Sequence, residues 1–254
     1  MDKKQEKHMH KLGLLGKNIS YSFSRSYFKK KFEKENIKHI TYGNFDVEDI
    51  SLFPDIIMNT PGLKGMNVTI PYKEAVIPYL DKVNKKAKKI GAVNTIRVTK
   101  KAKLIGYNTD CYGFKKSIKP HLKPRHRKAL ILGTGGASKA IAYTLKKLKI
   151  KYRYVSRSSV KGVNLTYDML TEEIIKDYQV IINCSPVGTF PNVEACPDIP
   201  YSGITEHHIL FDLIYNPEET KFLRLGKQQN ATIINGLKML EFQAEKSWAI
   251  WKLR

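Results

Sequence analysis

Acidic side chains are scarce in this chain. Its 254 residues hold 23 Asp and Glu against 45 Lys and Arg, a formal net charge of +22, which implies attraction to anions: nucleic acid, an acidic membrane surface or small anionic metabolites. Charge alone does not choose among these, but other absences narrow the field. No aromatic residues alternate with the lysines to build a stacking platform, and no zinc-finger spacing or RNA-binding signature is present, so specific nucleic-acid binding is disfavoured. Cysteine is rare as well. Cys111, Cys184 and Cys196 lie far apart and form no C-x-x-C pair, which argues against a disulfide framework or a metal site and suits a reducing cytoplasm. Long apolar runs are missing, and Met1–Lys11 is polar and charged, so neither a membrane span nor a signal peptide is expected. Residues 1–10 read as a disordered tail.

The lysines cluster where solvent is expected. Lys82, Lys85, Lys86 and Lys89 fall on one face of a predicted helix, Lys100, Lys101 and Lys103 surround a predicted hairpin turn, and Lys115–Lys128 forms a basic connector with Pro120 and Pro124. The clearest signal begins where that connector ends. Ala129–Leu132 reads as a short apolar strand running into Gly133-Thr134-Gly135-Gly136-Ala137, and Ala137, Ala140, Ile141, Thr144, Leu145 and Leu148 then recur at helical spacing. A strand, a glycine turn and a helix N-terminus make an anion site, because the backbone approaches a pyrophosphate closely and unsatisfied N–H groups point at it. Strands over Lys151–Val155 and Gln179–Cys184 follow at βαβ spacing. The pattern is a Rossmann half, and a dinucleotide is the expected ligand.

The end of the second strand in that half has no carboxylate for a ribose 2′-hydroxyl. It reads Ser156-Arg157-Ser158, with Lys161 beyond; a guanidinium suits a 2′-phosphate, so NADP is favoured over NAD, the alternative being that Arg157 is a solvated surface charge.

The front half opens with a strand over Lys11–Gly16, a serine-rich loop, a helix over Arg25–Asn36 carrying Phe28 and Phe32 inward, and a strand over His39–Phe45. Ser24 either caps the helix or, with Ser22, offers a hydroxyl to a ligand. The strand Met66–Ile70 is stopped by Pro71, which places Lys73 near the C-terminal end of a strand, the edge where open α/β sheets bind ligands. A strand over Val93–Val98 and a helix beginning near Asp110 follow. Lys73 as a plain surface lysine and Asp110 as a plain N-cap are the competing readings.

S-x-S, G-M-N-V-T-I-P-x-K, G-A-V-N-T, G-x-N-T-D, G-x-G-G-A-x-x-A, N-C-S-P-x-G and G-x-x-M-L-x-x-Q occur here in one order from about Lys11 to the C-terminus. In that order and spacing the chain resembles the shikimate dehydrogenases. The resemblance implies a two-domain α/β, NADP-dependent oxidoreductase reducing 3-dehydroshikimate to shikimate in aromatic amino-acid biosynthesis. Residues 11–109 with 235–254 would form a substrate domain and residues 110–234 a Rossmann domain, the last helix returning to the first domain and the two sharing a cleft that closes about a hinge near Asp110 and Asn235. It assigns Lys73 and Asp110 to the reacting centre, and the chemistry agrees: ketone reduction needs a proton on oxygen, which an ammonium held by a carboxylate can give. Ser22 and Ser24 match carboxylate-binding serines, Thr69, Asn94 and Gln243 match positions bonding ring hydroxyls, and Tyr215 matches a tyrosine near the carboxylate. Gly133, Gly135, Gly136, Ala137, Ser156, Arg157, Ser158, Lys161, Gly236 and Met239 match cofactor positions.

This chain departs from the family's pattern at Asn18, Tyr21 and Arg25, where proline, histidine and proline are commoner, and at Ser156, where asparagine is. Strands over Ile209–Ile214 and Ala231–Ile234, a helix over about Glu218–Gln229 and a final helix Leu237–Lys252 complete the predicted architecture. A cytoplasmic monomer or homodimer is expected. The alternatives are a quinate/shikimate dehydrogenase of broader substrate and cofactor use and, from another class, a non-catalytic basic nucleic-acid-binding protein.

Overall fold

The computed structural model describes residues 9–20, 23–158 and 165–252. Its chain divides into two compact units, residues 1–109 with 244–254, and residues 110–243. The expected return of the chain to the first unit at residue 235 comes later, at Ala244.

The first unit runs β1 (His10–Gly16), α1 (Phe23–Lys34), β2 (Ile40–Asp46), α2 (Phe53–Asn59), β3 (Leu63–Val68), α3 (Tyr72–Ala75), β4 (Lys82–Val83), α4 (Lys85–Ile90), β5 (Thr95–Val98) and β6 (Leu104–Tyr107). The sheet order is β2-β1-β3-β5-β6-β4, with β2, β1 and β3 parallel and β5 antiparallel to both β3 and β6. Leu15, Met66, Val68, Phe53, Val76 and Ile96 fill the core on one side. On the other, Phe28 and Phe32 of α1 meet Trp251 and Trp248, with ring centroids 5.4 and 5.7 Å apart.

The second unit contains α5 (Asp110–Ile118), β7 (Lys128–Leu132), α6 (Gly136–Lys147), β8 (Lys151–Ser156), β9 (Leu165–Thr166), α7 (Glu172–Asp177), β10 (Val180–Asn183), β11 (Ile209–Asp212), α8 (Lys221–Gln228) and β12 (Thr232–Ile234). The helix α9 (Leu237–Trp251) starts in this unit and ends in the first. The order β12-β11-β10-β7-β8-β9, parallel throughout, is the doubly wound Rossmann order, whose direction switches between β7 and β10. Leu130, Ile181, Leu210 and Phe222 pack one face and Phe114, Ile131, Ile141 and Phe211 the other. Such near-continuous apolar strands are what a sheet buried on both faces requires.

Several expected details differ. His10 already belongs to β1, so the end of the expected tail is strand, and residues 1–8 lie outside the described residues. The helix α1 begins at Phe23, so Ser24 lies within its first turn, buried, and is not its cap. Lys82 sits in β4, apart from the helix of Lys85, Lys86 and Lys89, whose cap is Asn84 accepting from the Lys86 N–H at 3.0 Å. Lys115–Ile118 belong to α5, so the basic connector is shorter than it reads.

Candidate active site

Because β5 runs against its neighbours, its N-terminal end shares an edge of the first sheet with the C-terminal ends of β1, β3 and β6. Four segments therefore converge there: the loop after Gly16, Thr69–Lys73, Asn94–Thr95 and Asn108–Thr109. Their backbones are tied together. Thr69 N donates to Leu15 O at 2.9 Å, Val68 N to Asn94 O at 2.9 Å, Asn94 N to Tyr107 O at 3.0 Å and Val93 N to Lys73 O at 2.7 Å. Lys73 is half-buried in α3, the short helix following Pro71.

Asn94, 2% exposed, is no surface turn residue. Its Oδ1 accepts from Thr109 N at 2.7 Å, Thr109 Oγ1 at 3.1 Å and Thr95 Oγ1 at 3.2 Å, so a bond from this side chain to a ligand comes from Nδ2. Beneath it, Ser247 Oγ lies 2.8 Å from Thr95 Oγ1 and 3.2 Å from Thr109 Oγ1, and accepts from Asn67 Nδ2 at 3.0 Å. Tyr42 donates to Asn67 Oδ1 at 2.8 Å and also bonds the Ser24 hydroxyl. A buried polar chain thus runs from Ser24 to Thr109, and burial holds the Tyr42 phenol far above its usual pKa. Asp110, buried, is the first residue of α5 rather than its cap.

The loop before α1 carries two of the chain's departures, Asn18 and Tyr21. Asn18 takes φ +56°, and its N–H and that of Ile19 donate to the Asp46 carboxylate at 2.8 and 3.0 Å. Proline, with its fixed negative φ and no N–H, does not fit that arrangement. Ser22 and Tyr21 lie outside the described residues.

In the second unit the glycine turn follows β7 directly. Gly133 takes φ +105° and a Cβ there would meet Ser185 N at 3.3 Å, so only glycine suits both the turn and the neighbouring loop. Gly135 precedes α6 with no side-chain cap, and nothing lies within 4 Å of where its Cβ would stand. No acidic residue occupies the first turn of α6. This open space in front of uncapped N–H groups fits a pyrophosphate. At the end of β8, Ser156 Oγ accepts from Ser158 N at 3.2 Å, while Arg157 is exposed; an exposed guanidinium with no carboxylate beside it in sequence suits a 2′-phosphate. Lys161 lies outside the described residues.

A curated shikimate dehydrogenase (NADP(+)) from Clostridium botulinum is 38% identical over 96% of this chain and 97% of its own length. The chain belongs to the shikimate dehydrogenase family. A family model for the shikimate dehydrogenase substrate binding domain matches residues 14–96. Among solved structures, shikimate dehydrogenase 1 from Peptoclostridium difficile is 40% identical with a TM-score of 0.81, over 96% of this chain and 92% of that one. Shikimate 5-dehydrogenase from Thermus thermophilus, in complex with NADP(H) and shikimate, is 27% identical with a TM-score of 0.85, over 96% and 94%.

Of the positions matched to the family, Ser24, Thr69, Lys73 and Asn94 lie in the first unit and Asp110, Tyr215 and Gln243 in the second. Gln243 is 7% exposed, not an open helix position, and Tyr215 is only half-buried, not core. Met239 is packed in the second unit's core with Phe211 and Ile182. Gly236 touches the Leu213 carbonyl where a Cβ would stand, and its N–H donates to Ile214 O at 2.9 Å.

Sequence reasoning passed over Asn67, Thr95, Thr109 and Ser247, and also Asn183 and Asp212. The signal available was a polar residue at a position surrounded by strand apolars, as in Met66-Asn67-Val68 and Ile209-Leu210-Phe211-Asp212. Asp212 is fully buried and accepts from Asn183 Nδ2 at 3.1 Å, Ile214 N at 3.0 Å and Thr220 Oγ1 at 2.7 Å. Burial still outweighs these three donors and pushes its carboxyl up to about 6. Among the described residues no cluster of His, Cys, Asp and Glu could hold a metal ion, and no helix is long and apolar enough to cross a membrane.

Proposed function

We propose that this chain catalyses the reversible NADP-dependent reduction of 3-dehydroshikimate to shikimate. The observation that carries this is the pairing, in one family member, of Thr69, Lys73 and Asn94 at a single sheet edge with a Rossmann unit whose glycine turn is open and whose second strand ends without a carboxylate. NADPH, when bound, supplies the hydride that reduces the carbonyl carbon and leaves as NADP+. The carbonyl oxygen then needs one proton, which Lys73 donates, with Asp110 as the other residue of the reacting centre.

Ser22 and Ser24 bind the substrate carboxylate, Thr69, Asn94 and Gln243 bond its hydroxyls, and Tyr215 stands by its carboxylate end. A site built from such directional groups rejects analogues that lack the hydroxyls. Gly133, Gly135, Gly136 and Ala137 take the pyrophosphate, Arg157 with Ser156, Ser158 and Lys161 the 2′-phosphate, and Gly236 and Met239 also bind the cofactor. The chain acts in the cytoplasm, as a monomer or homodimer, in aromatic amino-acid biosynthesis.

The experiment is absorbance at the nicotinamide band with shikimate or quinate, each with NADP or NAD. Rapid reduction of NADP with shikimate alone is the expected result. Equal turnover of quinate or of NAD moves the assignment to a broader quinate/shikimate dehydrogenase, and no turnover with any pair overturns it.

A further inference from the structure

The buried Asp212 carboxylate touches none of the site positions matched to the family directly, yet its bonds reach the loop that carries Tyr215 and, through Asn183, the loop that borders Gly133. Its Oδ1 takes the Ile214 N–H, an i to i+2 contact that turns the chain just before Tyr215. The same oxygen takes Asn183 Nδ2. Asn183 in turn holds the following loop, its Oδ1 accepting from Ser185 N at 3.0 Å and Ser185 Oγ at 2.7 Å and its amide donating to Val187 O at 3.3 Å. That loop is the one that abuts Gly133 of the glycine turn. The other oxygen takes the hydroxyl of Thr220, the cap of α8, which accepts from Leu223 N.

The strand register explains the convergence. Leu132, Asn183 and Asp212 stand abreast on β7, β10 and β11, each the last residue of its strand. The two loops leaving β10 and β11 are also tied to one another, Leu213 N donating to Asn183 O at 3.0 Å and Phe190 N to Asn216 O at 3.4 Å. One carboxylate therefore serves as the common acceptor for both loops at the ligand-binding edge of the second sheet.

We propose that Asp212 and Asn183 are positioning residues for the reaction: Asp212 fixes the loop that presents Tyr215, and Asn183 fixes the Ser185–Gly188 loop beside the cofactor's pyrophosphate turn. This rests on the function proposed above. An apolar residue at either position would leave buried donors without acceptors, and loops so released misplace what they carry, an error to which catalysis is steeply sensitive.

The test is a double-mutant cycle between Asp212→Ala and Tyr215→Phe in the full-length enzyme, with KM for shikimate and for NADP as readouts. Asp212→Ala should raise both KM values about tenfold, and the shikimate part of that rise should largely vanish in the Tyr215→Phe background, because the group being positioned is then incomplete. Effects on shikimate KM that simply multiply overturn the proposal. Asp212→Asn keeps an acceptor for Asn183 and Ile214, and the Thr220 hydroxyl can turn to accept from the new amide, so it should return both KM values to within about threefold of wild type. Failure of that rescue in folded protein also overturns it.

If Asp212→Ala does not fold, Asn183→Ala decides. This variant frees Ser185 and Val187 while leaving the Asp212 bonds to Ile214 and Thr220, and should raise the KM for NADP with that for shikimate unchanged. An equal rise in both, or in neither, counts against the proposal. A wild-type chain inactive toward every substrate pair instead defeats the assigned function. NADP titration of Asn183→Ala then still judges this inference, unchanged affinity overturning it.

Discussion

Lys73 is the side chain on which the proposed chemistry turns, and its surroundings explain why a lysine is useful there. It is half-buried on a one-turn helix whose backbone is fixed to Val93, so its ammonium is presented from a rigid edge rather than from a mobile surface. Replacement by alanine should lower kcat by roughly 10²–10⁴, the range a positioned general acid supplies. The KM for NADP should stay within about threefold, because uniform binding is not what the lysine provides. A kcat within a factor of two or so of wild type in steady-state assays would remove Lys73 from the mechanism. At this scale the sequence nominates candidates where a residue type announces chemistry, as at Lys73, Asp110 and Arg157. It was silent where a residue acts through its neighbours. Nothing about Ser247 or Asn67 in isolation says that the two hydrogen-bond each other 180 positions apart in the chain, since such a network exists only after β3, β5 and the last helix have come together.

Among the elements, the parallel βαβ units were the most legible, because apolar strand runs, glycine punctuation and helical periodicity are all local signals. Their ends were not. The strand after the G-A-V segment begins at Thr95 rather than Val93, and the helix after Pro217 begins at Lys221, where the Thr220 hydroxyl caps it. A cap is chosen by what the hydroxyl meets in three dimensions, and Thr220 meets both Leu223 N and Asp212. The glycine turn is the element whose chemistry and conformation coincide most closely. A Gly133→Ala change forces a Cβ into the left-handed region and toward Ser185 N, which should cost about 1–2 kcal/mol of stability. The same change should raise the KM for NADP more than that for shikimate, since the displaced loop borders the pyrophosphate turn. Denaturant melts and steady-state kinetics on the purified variant check the two halves of that expectation, and an unperturbed melt with unchanged KM values would contradict both.

For the molecule as a whole, the order of the chain makes the two units unequal in how they can fold. The second is one continuous stretch, residues 110–243, with apolar cores on both faces of its own sheet. The first is interrupted and is completed only by residues from Ala244 onward. Those residues supply Trp248 and Trp251 to the cluster of Leu12, Phe28, Phe32 and Ile40, and Trp251 Nε1 donates to Ile96 O at 2.9 Å across the sheet. Ser247 adds the centre of the buried polar chain. Ending the chain after Gln243 therefore strips an aromatic layer and leaves Asn67 and Thr95 short of a partner. Each lost buried tryptophan alone is expected to cost about 3–5 kcal/mol, a large share of a marginal domain stability. The truncated protein should show a first unit without hydrogen-exchange protection and a second unit that still melts cooperatively and still binds NADP. The chain has only two tryptophans, both in this helix, so in the full-length protein intrinsic fluorescence reports the first unit while NADP binding reports the second. Denaturant should then resolve two transitions with these probes. Protection of β1–β3 in the truncated chain would show that the first unit does not need its C-terminal segment, and loss of NADP binding would show that the second does not fold by itself.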